Sequence, residues 1–347
     1  MKITPFDIHD DALLSRFYAI MREAELHGRE HMPYWSEREC AVMFRREEPT
    51  ETYHLFAAFD DAAQGQGSVS ADTMIGNALM ILPQHDNTNF AFLGVHVAPE
   101  LRARGIGSAL TDFVVEEARK AGRTELLTET NLAFEHRDSH PYRTFLEHRG
   151  FALANVEVRR IMDLPVSDGR IQQWIDESAP HHKDYRLETY VDDIPDDLIP
   201  SLVHLHNQLA LDAPTGDLEF EAEAMTPEGF KVRRAKLKEM GRTTYETVAI
   251  ASNGEVVAQS TIGIGADDTE NAYQWGTIVR RDHRGHRLGM AVKAINLRAV
   301  QEACPDYQRI MTTNAEVNQH MVAINEQMGF KPVELLAEFL RKLERMD

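Results

Sequence analysis

RARGIGSAL, residues Arg102–Leu110, follows an apolar, β-favouring run and opens an amphipathic one, and the phrase returns near the other end as RGHRLGMAV, residues Arg284–Val292. The recurrence keeps step over a wider window, because Val97 and Val279, Arg102 and Arg284, and Gly107 and Gly289 are each 182 positions apart (289 − 107). LEHRGF, ending at Gly150–Phe151, likewise returns as NEQMGF, ending at Gly329–Phe330, at an offset of 179 (329 − 150). Each half also begins alike, MKITPF and then a helical stretch from about Asp10, YRLETY and then one from about Pro195. Self-similarity at a fixed offset decides architecture before any single element is assigned. It predicts a tandem duplication with a first domain over 1–166, a linker over 167–183 and a second domain over 184–347. The joint falls there because Pro, Gly, Ser and charge surround one short helical patch, and His181 and His182 belong to it.

Working outward from the phrase, HLFAAFD, MIGNALMIL and NFAFLGVHV read as consecutive strands separated by Gly, Asp, Asn and Pro. Ile106, Ala109, Leu110, Phe113 and Val114 then recur at helical spacing, and TELLTETNL follows as a strand. The second half repeats the series with YETVAIAS, EVVAQSTIGIG and AYQWGTIV, a helix marked by Leu288, Ala291, Val292, Ile295 and Ala299, and the strand QRIMTTN. Hairpin strands followed by strand, turn, helix and strand give an α/β (α+β) fold on a mixed sheet.

At 347 residues the chain is long enough for two cores, and its apolar share of 43% is ordinary for globular protein. No apolar run approaches the roughly 18 residues of a membrane span, and MKITPFDIHD lacks a secretory apolar segment, so the expectation is a cytoplasmic chain without a membrane partner. Cys40 and Cys304 lie in different halves without metal-ligand spacing and read as reduced core thiols. A net charge of −19, from 56 acidic and 37 basic side chains, argues against a nucleic-acid partner.

A strand that stops at a glycine turn and restarts as a helix offers unpaired backbone N–H groups and the positive end of a helix dipole, a receptor for phosphate. Gly105 and Gly107 let phosphate oxygens approach the backbone, while Arg102 and Arg104 add charge. The nucleotide-hydrolase loop needs a Gly-Lys pair, which the sequence lacks. The dinucleotide fingerprint would take Gly105 and Gly107 and then meet Leu110, although Glu129 stands about where a ribose-binding acid would be sought, and the second copy lacks the first G-x-G.

VAPELRARGIG and VRRDHRGHRLG resemble the [RQ]-x-x-G-x-[GA] motif of the GNAT superfamily of acyl-CoA-dependent N-acyltransferases, including the strand-ending Val and the downstream GF. The resemblance covers both halves in element order, with Arg287 replacing the middle glycine of the second copy. It implies a tandem pair of GNAT-like domains that use acetyl-CoA as co-substrate. The turns Arg102, Arg104, Gly105, Ile106, Gly107, Ser108 and Arg284, Gly285, His286, Arg287, Leu288, Gly289 would hold the pyrophosphate. Strands four and five would splay around the pantetheine, with Val97 and Val279 offering backbone groups to it.

The superfamily often places a Tyr four residues before the GF glycine to protonate the leaving thiolate, and an Asn seven residues earlier on the cofactor. Here those positions hold Asn325 and Asn318 in the second copy and Leu146 and Ser139 in the first. Asn318 is expected on the cofactor, and Asn325 as a hydrogen-bond donor to the thiolate, the two sharing one helix face at seven-residue spacing. In the first copy Tyr142, one turn before Leu146, and Glu129 as a base are the substitutes. The second half is expected to be the catalytic one, an arrangement that resembles the mycothiol-synthase-like tandem members of the superfamily.

Acceptor recognition in the superfamily falls between the first strand and the second, here in 28–39 and 213–225, where Tyr34, Trp35, Asp217, Glu219 and Glu221 either cradle an amine or are solvated helix and loop residues. His136 and His140 run into Pro141 in a loop, and no metal is expected. The expected function is acetyl transfer to a small primary amine by a monomer or homodimer. The alternatives are a non-catalytic acyl-CoA-binding regulator and a protein N-acetyltransferase.

Overall fold

The Asp10 carboxylate accepts from the backbone N–H groups of Ala12 and Leu13 and starts α1 (Asp11–Leu26), which buries Leu13, Leu14, Phe17, Ile20, Met21 and Ala24 along one face. This is a computed structural model, and it describes residues 1–29, 31–60, 69–212, 215–221 and 225–344, without the side chains of 209–212.

Contacts divide the chain into two units, 1–156 with 216–221 and 336–347, and 157–215 with 222–335. In the first unit β1 (Lys2–Pro5), β2 (Glu51–Phe59), β3 (Met74–Pro83) and β4 (Phe90–Val97) pair antiparallel in that order, and β5 (Glu125–Leu132) joins β4 in parallel. Helix α1 and α2 (Glu37–Arg45) pack one face through Phe17, Ile20, Phe44, Leu55 and Phe59, while α3 (Ile106–Lys120) lies against β3 and β4. The sequence expectations did not include α2, whose start is a capping box between Ser36 and Glu39.

In the second unit β7 (Arg186–Val191), β8 (Arg242–Ile250), β9 (Val256–Gly265) and β10 (Asn271–Val279) repeat the antiparallel series, and β11 (Arg309–Ala315) joins β10 in parallel. Helices α6 (Ile199–Asp212) and α7 (Pro227–Glu239) cover one face around Leu202, Phe230, Val248 and Ile278. Helix α8 (Leu288–Ala303) covers the other around Ile262, Ala294, Leu297 and Ile310. The 167–183 segment is not a bare tether. It forms α5 (Asp168–Ser178), whose Ile171 and Trp174 join the core of the second unit.

Two strands are shared. β6 (Ala152–Asp163) gives residues up to 156 to the first unit and the rest to the second, and β12 (Lys331–Lys342) gives residues up to 335 to the second and the rest to the first. The sheet order β5-β12-β6 and β12-β6-β11 therefore completes each unit with a strand from the other half of the chain. The segment 216–221 also belongs to the first unit: Glu221 and Asn87 exchange two hydrogen bonds of 2.7 Å, and Phe220 meets Phe90.

The parallel pairs carry the functional geometry. β4 and β5 are in register only over Phe90–Phe92 and Glu125–Leu127, and β10 and β11 only over Asn271–Tyr273 and Arg309–Met311. Beyond those residues each pair of strands runs on unpaired, so both units carry a wedge at the end of the fourth strand.

Candidate functional site

At the tip of each wedge the chain turns into a helix through two left-handed residues. They are Ala103 (φ 60°) and Gly105 (φ 84°) before α3, and Gly285 (φ 88°) and Arg287 (φ 51°) before α8. These are matching positions, 182 apart (285 − 103), with glycine at only one of the two in each copy. An L side chain held left-handed costs about 1–2 kcal/mol, so the backbone shape is imposed against local preference at Ala103 and Arg287. That shape turns the first free N–H groups of the helix toward one point. Gly107 and Gly289 sit in the first helical turn, where an added Cβ would lie 3.6 Å from Val97 and 3.4 Å from Ile324 respectively. The first arginine of each motif staples the strand end, Arg102 Nε donating to the Val97 carbonyl and Arg284 Nε to the Val279 carbonyl, both at 3.2 Å. Those carbonyls, expected to face a pantetheine arm, keep a second lone pair.

Around the second turn lies a cavity of ≈ 880 Å³, within the range of small-molecule and cofactor sites. Its walls are the end of β10 at Thr277–Val279, the turn with Arg281, His283, Arg284, Gly285, Arg287, Leu288 and Gly289, and helix α9 (Gln319–Met328) with Asn318, Met321 and Ile324. The fourth wall is α5, through Trp174, Glu177 and Ser178, which the sequence reading did not include. Its signal was the single Trp of the linker's helical patch. Arg287 Nη1 donates to the Glu177 carbonyl, and His286 Nδ1 lies 3.1 Å from the His181 carbonyl, so the linker residues brace the turn. Three arginines converge here in a chain of net charge −19, a local inversion of the field that suits an anion. The Trp174 indole N–H, 1% exposed, has no acceptor among the described residues. Cavity, charge and orphan donor all fit the pyrophosphate and arm of an acyl-CoA.

At the first turn the leading arginine makes further bonds. Arg102 Nη1 donates to Tyr142 Oη at 2.8 Å and Nη2 to the Ala24 carbonyl at 3.1 Å, which ties the turn to α4 (Pro141–Glu147) and α1. Arg104 donates to the Glu100 carbonyl, Ile106 is buried, and Ser108 lies in the first turn of α3. On the α1 side Asn131 of β5 is buried and donates to the Met32 sulfur at 3.5 Å. His96, at the end of β4, is held between Asn77 Oδ1 (2.9 Å) and Glu25 (3.3 Å) and was not singled out from sequence.

The residues expected to do chemistry are distributed differently from the sequence reading. Asn318 lines the second cavity, but it caps α9 from outside the helix, accepting from Met321 N, so it shares no helix face with Asn325. Asn325 is 0% exposed and turned into the core. Its Oδ1 accepts from Lys293 Nζ at 3.0 Å and its Nδ2 donates to Asn314 Oδ1 at 2.5 Å, so it does not reach a leaving thiolate. Lys293 is 1% exposed and forms no ion pair among the described residues, and burial pulls its pKa down to about 7. Tyr142 is anchored on Arg102, and Glu129 is exposed on β5. Tyr34 stacks under Arg22 at 4.7 Å, and Trp35 is exposed. Asp217, Glu219 and Glu221, read as the acceptor segment of the second half, lie in the strip that belongs to the first unit, because Asp217 N and Glu221 pair with Ala154 and Asn87 there. Glu30, 213–214 and 222–224 of the two acceptor segments lie outside the described residues. Among the described residues no cluster of three or more His, Cys, Asp or Glu is arranged for a metal, and no helix is long and apolar enough to cross a membrane.

One asymmetry bears on chemistry. The β9–β10 ladder slips between Gln274 and Gly276, making Trp275 the extra residue of a bulge, whereas β3 and β4 pair without a slip over Gly76–Ile81 and Phe92–Val97. A bulge leaves backbone groups out of the ladder and re-aims them. This one lies just beyond Tyr273, where β10 and β11 part. The indole of Trp275 rests over Gly263, where a Cβ would meet it at 2.4 Å, and is itself 41% exposed. Gly276 inside a strand was the sequence signal, but Gly94 occupies the matching place of the unbulged copy.

Comparison with known proteins agrees with this geometry. The acetyltransferase (GNAT) family model matches residues 14–143. A tandem GNAT protein from the clavulanic acid biosynthesis pathway superposes with a TM-score of 0.75 at 21% identity, over 100% of this chain and 99% of that one. A GCN5-related N-acetyltransferase from Sphaerobacter thermophilus superposes at 0.61 and 12%, over 100% and 97%. No curated relative matches the sequence. Two wedges, two glycine turns and these likenesses give the chain the fold of a tandem GNAT protein, two domains of the GNAT fold in one polypeptide, the first of which the family model matches.

Proposed function

We propose that the chain is an acyl-CoA-dependent N-acyltransferase that moves an acetyl group to a small primary amine, with the second unit as the working half. The observation that carries this reading is the pairing, in one unit, of an open cavity at the glycine turn with a bulge at the mouth of the wedge. The free N–H groups at the start of α8, with Arg281, Arg284 and Arg287, would hold the pyrophosphate. Bound acetyl-CoA supplies the thioester. The backbone groups that the bulge at Trp275 leaves out of the ladder would stabilise the carbonyl oxygen as negative charge develops there. With Asn325 in the core, the thiolate would leave without a proton from α9, which its intrinsic pKa of roughly 8.5 permits. The first unit, its turn bridged by Arg102, would serve as a scaffold.

Acetyl-CoA binding by calorimetry, followed by turnover with an amine panel, tests this reading in Gly289→Glu and Gly107→Glu. A glutamate at 289 brings bulk and negative charge to the pyrophosphate and is expected to abolish binding and turnover, whereas one at 107 leaves turnover largely intact. Equal loss in both variants would overturn the division of labour. Binding without turnover of amines or peptides would favour the regulatory reading, and turnover of peptides alone would favour a protein acceptor.

A further inference from the structure

The Lys293–Asn325–Asn314 chain runs from α8 through α9 to the splayed end of β11, and every polar group in it is directional. Lys293 Nζ donates to the Asn325 amide oxygen, a group that only accepts. It therefore holds the Oδ1 of Asn325 toward α8, which points Asn325 Nδ2 at Asn314 and makes Asn314 Oδ1 the acceptor. Asn314 is left with its Nδ2 as a fixed donor that has no acceptor among the described residues. Its place on the strand is informative. Met311 is the last residue of β11 in register with β10, and Thr312 Oγ1 donates to the Gln274 carbonyl at 3.2 Å, next to the bulge. Asn314 stands two residues further along, roughly 6–7 Å at strand rise, on the same face of β11 as Thr312 and half-buried beneath α9. The first unit has no such chain, since Thr111 and Leu146 hold the positions that match Lys293 and Asn325.

We propose that Asn314 donates a hydrogen bond from Nδ2 to the acyl carbonyl in the second wedge, and that Lys293 and Asn325 are positioning residues that fix its amide. The proposal rests on the acyl-CoA reading above and adds a side-chain donor on β11 opposite the backbone groups of the β10 bulge. It also explains a lysine in the core, where an apolar residue of similar length would pack without desolvating a cation.

The test compares the affinities of the intact chain for acetyl-CoA and for CoA by calorimetry, because only the former carries the carbonyl. Asn314→Ala is expected to weaken acetyl-CoA by about 3- to 10-fold, the usual worth of one neutral hydrogen bond, and to leave CoA unchanged. Lys293→Met, which keeps the length of the side chain, is expected to shift the ratio in the same direction. A merely structural role would move both ligands together. Equal weakening of the two ligands, or an unchanged ratio in Asn314→Ala, would overturn the proposal while leaving the acyl-CoA reading standing. A wild-type chain that binds neither ligand would overturn both.

Discussion

Lys293 offers a measurement that needs no substrate. Burial without an ion pair lowers its pKa from 10.5 to about 7, a difference worth about 5 kcal/mol at 1.36 kcal/mol per unit. Between those two values the unfolded chain binds a proton that the folded chain has released, so stability rises with pH across the window. The full penalty applies below pH 7, and from pH 6 to pH 9 about half of it is relieved. Lys293→Met removes the titration. It also leaves Asn325 Oδ1 without its donor, which costs about 1–3 kcal/mol but does so at every pH. Urea unfolding of the wild type and the variant at intervals from pH 6 to 9 separates the two effects, because an offset reports the hydrogen bond and a slope reports the lysine. The expected result is a wild-type free energy that climbs relative to the variant as pH rises. Parallel profiles, differing by less than about 0.5 kcal/mol in trend, would refute the desolvated-lysine reasoning.

Arg287→Gly relieves a left-handed side chain and is expected to stabilise the second unit by about 1 kcal/mol, seen as a higher unfolding midpoint, with its brace to Glu177 lost. Gly263→Ala places a methyl 2.4 Å from the Trp275 indole and is expected to displace it, changing tryptophan fluorescence and reducing amine turnover more than acetyl-CoA affinity. Arg102→Met removes bonds to the Val97 and Ala24 carbonyls and to Tyr142. It is expected to lower the stability of the first unit by about 1–3 kcal/mol and to leave acetyl-CoA turnover intact, which a turnover assay at matched folded fraction checks.

Much of the fold was legible because it was written twice. The constant offsets mark both turns, and alternating or continuous apolar runs mark β2–β5 and β8–β11 in the sequence itself. The long shared strands were not legible, since an apolar run such as ALANVEVRRIMD carries no mark of which sheet it will join. The two turns from strand into helix were legible in their glycines and arginines, which act through backbone shape and charge close in sequence. The reading of Asn325 went astray for a reason that spacing cannot reveal. Helical periodicity put it on a face with Asn318, but α9 begins one residue after Asn318, and a buried lysine from another helix claims the Asn325 amide. The acidic residues after Gly216 were likewise assigned by chain order, whereas their hydrogen bonds attach them to the other unit.

The exchange of strands sets a timetable for the chain as it is made. The sheet of the first unit takes its sixth strand from residues 336–342, so β5 faces solvent along one edge until 157–342 have been synthesised. At 5–20 residues per second that interval lasts roughly 10–40 s, long compared with hairpin formation in microseconds. An unpaired edge strand is a template for any other nascent chain. The tandem arrangement therefore carries a period of vulnerability during translation that a single domain with its own closing strand would not have, and a chaperone that shields β5 for those seconds would act where the duplication has left the first sheet waiting.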